Sequence, residues 1–247
     1  MKLKIAFILF LSASLFSKQT FAQPDPSVNE RLSIISLLSV NEKSLDIPAD
    51  SILRKYLKIE WISEDEFLAK QKTMVNWLVS DTAKFRKKKG VLRLPTTAGT
   101  RSFTDKIEEG ESARQYDYMG QFPFLNSYVV RTMYWEDMNF DMISKKDGAK
   151  TGSFYALPRV TPNKKKMVTA YFDPYDTYTE ITVYSIVAGK FKNILSVTFE
   201  SWMPGADDLI FWGADGKLYI PFLYADKYWK DDDNVSTDYQ YLRIELL

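Results

Sequence analysis

From residue 91 onward the chain is divided into short runs of aromatic and β-branched side chains closed by turn signals, and no other feature limits its fold so tightly. The runs fall at residues 91–94, 116–119, 128–135, 140–143, 167–172, 180–187, 193–199, 209–212, 217–224 and 238–246. Asp147-Gly148, Ala188-Gly189-Lys190 and Asp215-Gly216 stand between runs, and such sequences supply the positive φ values of tight hairpins. Residues 90–247 are therefore expected to form a mainly β, antiparallel domain.

Residues 23–89 read as a helical N-terminal segment. Leu32, Ile35 and Leu38 recur at about helical spacing. Ser63 with Glu66 is a capping-box signature, after which Phe67, Gln71, Met74 and Leu78 share one face, so a helix is expected over residues 64–79. Asp50 ahead of Ile52-Leu53 and Tyr56-Leu57 points to a shorter one. Arg86-Lys87-Lys88-Lys89 with Gly90 reads as a helix C-terminus, where cations meet unpaired carbonyls.

The first residues have the three-part layout of a secretory signal peptide. Lys2 and Lys4 precede an apolar run from Ile5 to Phe16, followed by Ser17-Lys18-Gln19-Thr20, and cleavage is expected between Ala22 and Gln23. The run of about 12 residues falls short of the roughly 20 that span a bilayer. Residues 1–22 are thus expected to be removed, leaving a periplasmic or secreted protein with no membrane span. The chain has no cysteine, so neither a lipid anchor nor a disulfide is available to it. Its 33 basic residues fall to 30 without Lys2, Lys4 and Lys18, against 32 acidic ones. That near-neutral balance lacks the positive excess of nucleic-acid binding, so no nucleic-acid partner is expected.

The absence of histidine removes more chemistry than any motif adds. Serine-histidine triads, cysteine nucleophiles and histidine-ligated zinc are excluded. Carboxylate catalysis, a serine-lysine pair and an oxygen-liganded cation remain. Glu136 with Asp137, Asp173 with Asp176, and Asp207 with Asp208 are the carboxylate pairs that a glycan hydrolase would use. Asp231-Asp232-Asp233-Asn234 lacks the alternating spacing and glycine of a calcium loop and reads as a solvated loop. Lys164, Lys165 and Lys166 read as a polar turn, and Trp202 and Trp212 as core. No cofactor is expected.

The strands beginning near Tyr128, Met167 and Lys217 are each followed by a polar tip and a second strand, at a spacing of about 40 to 50 residues. Within this repeat, Pro158-Arg159-Val160-Thr161-Pro162-Asn163-Lys164-Lys165 precedes the strand at Met167-Val168. It resembles the opening of the propeller repeats in the periplasmic component of the Tol system, whose consensus is Pro, two residues, Ser, Pro, Asp, Gly, Lys. Pro158, Pro162 and Lys165 match, Thr161 stands for Ser and Asn163 for Asp, while Lys164 departs from Gly. Trp202-Met203-Pro204 followed by Asp215-Gly216-Lys217 is a degenerate echo. The resemblance implies propeller-blade-like sheets, with sandwich-like packing as the alternative, and it implies a scaffold without an activity.

Aligning the repeats brings three tips into register. They carry Tyr134, Trp135, Glu136 and Asp137; then Asp173, Tyr175, Asp176 and Tyr178; then Asp226, Tyr228, Trp229 and Asp231. Lys145, Lys146, Lys150, Lys190 and Lys192 fall in the alternate turns, on the expected opposite rim. Aromatics beside carboxylates on loops suit a protein or carbohydrate partner. The expected function is a non-catalytic binding or interaction module, with Trp135, Tyr175 and Trp229 as anchors and Asp137, Asp176 and Asp231 orienting the partner. A carboxylate-dependent glycan hydrolase is the alternative.

Overall fold

A computed structural model describes residues 35–41, 43–44, 54–108, 110–135, 137–173, 178–200, 202–231 and 234–247. The expected signal peptide and the expected cut at Ala22 lie outside these residues.

Strands β1 (Ile35–Val40), β2 (Lys43–Ser44) and β3 (Leu57–Ile62) precede helix α1 (Glu64–Gln71) and β4 (Met74–Val75). The hairpin β5 (Val91–Thr96) and β6 (Gly99–Thr104) follows. A meander comes next, with β7 (Gln115–Phe122), β8 (Ser127–Met133), β9 (Met138–Ser144) and β10 (Lys150–Phe154). A second holds β11 (Arg159–Val160), β12 (Lys166–Asp173), β13 (Tyr178–Val187) and β14 (Lys190–Glu200). The chain closes with β15 (Trp202–Pro204), β16 (Phe211–Gly213), β17 (Leu218–Tyr224), β18 (Trp229–Asp231), β19 (Asn234–Val235) and β20 (Gln240–Leu246).

These strands make three principal antiparallel sheets. Sheet I has the order β10-β9-β8-β7, sheet II β11-β12-β13-β14-β1-β2, and sheet III β3-β20-β17-β16-β4 with β15 also on β17. The fold is mainly β, as expected, and none of the described sheets closes into a barrel.

Strand alternation decides how the sheets stack, because successive side chains point to opposite faces. In β8, Tyr128 and Val130 join the β5–β6 hairpin residues Leu92, Leu94 and Phe103, while Val129 faces Val160 and Met167 of sheet II. In β12, Met167 faces sheet I and Val168 faces sheet III, where Ile181, Val183, Val197 and Phe199 meet Trp212, Ile220, Phe222 and Ile244. On the far side of sheet III, Phe67 of α1 covers Phe211, Tyr219 and Tyr241. The described order is thus hairpin, sheet I, sheet II, sheet III, helix. Each fully buried aliphatic or phenylalanine side chain contributes about 1.5–3 kcal/mol. The outermost surfaces carry mostly polar side chains: Arg93, Ser102 and Thr104 are exposed on the hairpin, and Glu64 and Asp65 on the helix, beside Leu68.

A single stretch of chain laces the sheets together at their first strands. Val75 of β4 pairs with Trp212 in sheet III, and Trp77 Nε1 donates to Thr161 O in sheet II at 3.1 Å. Val79 then exchanges backbone hydrogen bonds of 2.9 and 3.1 Å with Gln121 in sheet I. Sheets II and III are also joined directly, by Trp212 Nε1 on Arg159 O at 3.0 Å and Arg159 Nε on Ile210 O at 2.7 Å.

This lacing corrects the helical reading of the N-terminal part. Ser63 caps α1, its Oγ accepting from Glu66 N at 3.2 Å, but the helix stops at Gln71 and does not reach residue 79. Met74 and Val75 are drawn into a ladder with β16, and a long-range pairing overrides local periodicity. Residues 35–40 form β1 on the edge of β14 in place of a helix. Residues 45–53 lie outside the described part, and beyond them Leu57 begins strand β3. Lys89 and Gly90, with φ of 49° and 73°, form a tight turn between Lys88 and Val91 where a helix end was expected. Residues on both sides of the expected division at 89/90 share sheets, since β1 pairs with β14 and β3 with β20.

Residues 158–165 form β11 and the β11–β12 turn. Thr161 Oγ1 accepts from Lys166 N at 3.1 Å, and Asn163 Oδ1 accepts from Lys165 N at 3.0 Å. Lys164, at the consensus Gly position, has φ of 61°, a left-handed conformation that glycine adopts without strain. Its ammonium lies 3.9 Å from the Trp77 ring centroid and 5.2 Å from that of Phe124. Lys164→Ala loses these contacts and keeps the strain, whereas Lys164→Gly loses the contacts and relieves it. The Gly variant is expected to be more stable than the Ala variant by about 1 kcal/mol. Urea midpoints measure the difference, and coincident midpoints would contradict it.

Candidate functional site

The three meanders place equivalent connections at one end. β8–β9, β12–β13 and β17–β20 join the second and third strands of sheets I, II and III, and the third carries the small β18–β19 hairpin.

At the first tip, Tyr134 N donates to Asp137 O at 2.7 Å and Met138 N donates to Asp137 Oδ1 at 2.7 Å, which closes the turn. Trp135 is left 60% exposed, with Asp137 and Met138 exposed beside it. Tyr134 is covered by Arg114, 5.2 Å from its ring. Glu136 lies outside the described residues, as do Tyr175 and Asp176 of the second tip. The flanks of that tip are described: Asp173 and Tyr178 are directly opposite in the β12–β13 ladder.

At the third tip Trp229 is 53% exposed, whereas Tyr228 is buried and packs against Phe172 with ring centroids 6.0 Å apart. Tyr228 therefore belongs to the small core of Met203 and Leu223. Asp231 ends β18 opposite Asn234, and Asp226 is exposed in the turn between β17 and β18.

The tips are linked through the end of β12. Tyr171 faces sheet I and touches Tyr155, which follows β10, at 5.7 Å between ring centroids. It also touches Tyr178 at 6.2 Å. Phe172, on the other face, touches Tyr228 of the third tip. Burial pushes the Tyr171 phenol up to about 12, and the charges of Asp173 and Asp137 push the same way. Sequence reasoning missed Tyr155, 61% exposed, and Tyr171, because neither lies in a tip. Their aromatic character is visible in the sequence, but their meeting depends on how sheets I and II stack.

The opposite end carries Lys145 and Lys146 in the β9–β10 turn and Lys190 at the β13–β14 turn, as expected. Lys145 Nζ bonds Gln121 Oε1 and lies 4.8 Å from the Tyr128 ring, and burial holds its ammonium below the ordinary lysine value. Asp81 accepts from Tyr118 OH and Gln121 Nε2, both at 2.6 Å. Burial pushes the Asp81 carboxyl up, but those bonds outweigh it and leave the group below its usual range. Asp141, the interior carboxylate of sheet I, is held by Ser153 Oγ at 2.6 Å, Thr132 Oγ1 at 3.1 Å and Lys150 at 3.3 Å. Each of these networks consumes its polar groups in joining elements.

Trp202 and Trp212 are core residues, each 1% exposed. Asp207 and Asp208 begin a short turn between β15 and β16. Among the described residues no three acidic side chains converge to hold a metal, and no helix is long and apolar enough to cross a membrane. Compared with protein-family models, curated proteins and solved structures, the chain matches none.

Proposed function

We propose that the protein is an exported, non-catalytic binding module that engages a protein or carbohydrate through the edge formed by the three tips. The observation that carries this reading is the pair of large aromatics, Trp135 and Trp229, left 60% and 53% exposed at equivalent connections of sheets I and III. Burial elsewhere accounts for the other described tryptophans, which are buried or partly so. A rigid indole gains contact area at low entropy cost, and such residues dominate interface energetics. The blade-like reading of the three meanders, drawn from the motif at Pro158–Lys165, supports the same conclusion, because it places these connections on one rim of a scaffold.

The test combines a panel of soluble cell-wall and storage glycans, assayed for binding and for new reducing ends, with thermal melting of Trp135→Ala and Trp229→Ala. Saturable binding without turnover is expected, each variant weakening it by about 1–2 kcal/mol with little change in melting temperature. Release of reducing ends would favour the hydrolase instead. A fall in melting temperature without loss of affinity by the folded fraction would overturn the binding edge.

A further inference from the structure

Tyr155, Tyr171 and Tyr178 form a continuous cluster where the ends of sheets I and II meet. Their ring planes are inclined to one another, by 52° between Tyr155 and Tyr171 and by 58° between Tyr171 and Tyr178. Coplanar rings make a flat platform for a sugar face. Inclined rings present π faces from different directions, the arrangement by which aromatic cages hold an organic cation. Tyr155 is 61% exposed, so part of this cluster is open to solvent.

Negative charge is brought to the same place by two strands. Asp173 lies two residues beyond Tyr171 on the same face of β12, and Asp137 belongs to the neighbouring tip of sheet I. Asp173 also lies directly opposite Tyr178 in the β12–β13 ladder, and Asp137 closes its own tip through Tyr134 N and Met138 N. A cation entering here meets carboxylates and ring faces together, whereas an uncharged ligand gains only the rings.

Resting on the binding edge proposed above, we infer that the tyrosine cluster is a subsite for an alkylammonium group. Tyr155, Tyr171 and Tyr178 supply the π faces, and Asp137 and Asp173 the counter-charge.

The probe is choline, titrated at constant ionic strength and followed by tyrosine ring resonances, with 3,3-dimethylbutan-1-ol as its uncharged isostere. Choline is expected to bind about tenfold more tightly than the alcohol. Tyr155→Ala and Asp137→Asn, both at exposed positions, are each expected to weaken choline several-fold with melting unchanged, while Lys190→Ala, exposed at the opposite end, leaves choline binding intact. Nα-acetyl-lysine methylamide forms a second arm: tighter binding than choline identifies a polypeptide lysine as the source of the cation, and weaker binding identifies a small quaternary amine. Equal binding of choline and its isostere would overturn the subsite, as would choline binding insensitive to both variants. If glycan binding dependent on Trp135 and Trp229 persisted in that case, only the subsite would fall and the wider edge would stand.

Discussion

Removal of residues 240–247 should leave a chain with no cooperative thermal transition. β20 lies between β3 and β17 in sheet III, so its loss separates the two ladders that it joins. Leu242 and Ile244 are 1% and 0% exposed in the largest core cluster, and truncations of such side chains cost about 2–5 kcal/mol each. Arg243 is lost with them, and with it bonds of 2.8 Å to Glu60 on β3 and 2.6 Å to Glu66 on α1. The sum approaches the whole stability of a typical domain, about 5–15 kcal/mol. Near-ultraviolet circular dichroism during heating measures the effect, and a truncated chain melting sharply near the full-length temperature would contradict it. Ile244→Ala gives the graded form of the experiment, with an expected loss of about 2–5 kcal/mol.

Gly120→Ala is expected to destabilise the protein by about 3 kcal/mol, a large effect for one methyl group. Gly120 has φ of 145° at an irregularity in the β7–β8 ladder, a conformation that other residues rarely adopt. A Cβ there would stand 2.7 Å from Val79 O and 3.1 Å from Leu78 Cδ1. The crowding falls on the point where the lacing segment bonds Gln121, so the substitution would loosen that segment from sheet I as well as strain β7. Chemical denaturation gives the magnitude. Limited proteolysis locates the effect, with new cleavage expected over residues 76–86. A variant that unfolds at the wild-type midpoint would show that the close approach is not needed.

The long inner strands of the three meanders were legible in the sequence because β-branched and aromatic runs between turn signals have few other readings, whereas β10 (Lys150–Phe154) and β11 (Arg159–Val160) were not, being polar or too short to make such a run. Residues 35–40 were not, since Ile35 and Leu38 fit a helical period with Leu32 while the strand Ile35–Val40 depends on β14, more than 150 residues away. The same limitation applied to Met74 and Val75, whose partners Gly213 and Trp212 leave no local signal. At the candidate site, Trp135 and Trp229 were legible as tip aromatics, and the structure leaves both exposed. The burial of Tyr228 had no local signal, since it lies in a tip with Asp226, Lys227 and Lys230 while its neighbours in space are Phe172, Met203 and Leu223. Tyr155 and Tyr171 were invisible for the converse reason, since they meet only across two stacked sheets.

The polar coverings at the two ends of the stack bear on how such a chain lengthens in evolution. A further sheet needs an apolar face to dock on, and the hairpin and the helix turn Arg93, Ser102, Thr104, Glu64 and Asp65 outward instead. On the hairpin and the helix, such side chains leave little apolar surface for another sheet to dock on. A duplicated meander would therefore be accommodated only by insertion between existing sheets, where apolar faces lie on both sides. Such an insertion also has to extend the segment from β4 to Gln121, because that segment spans the first strands in a single pass and would otherwise be too short to reach sheet I.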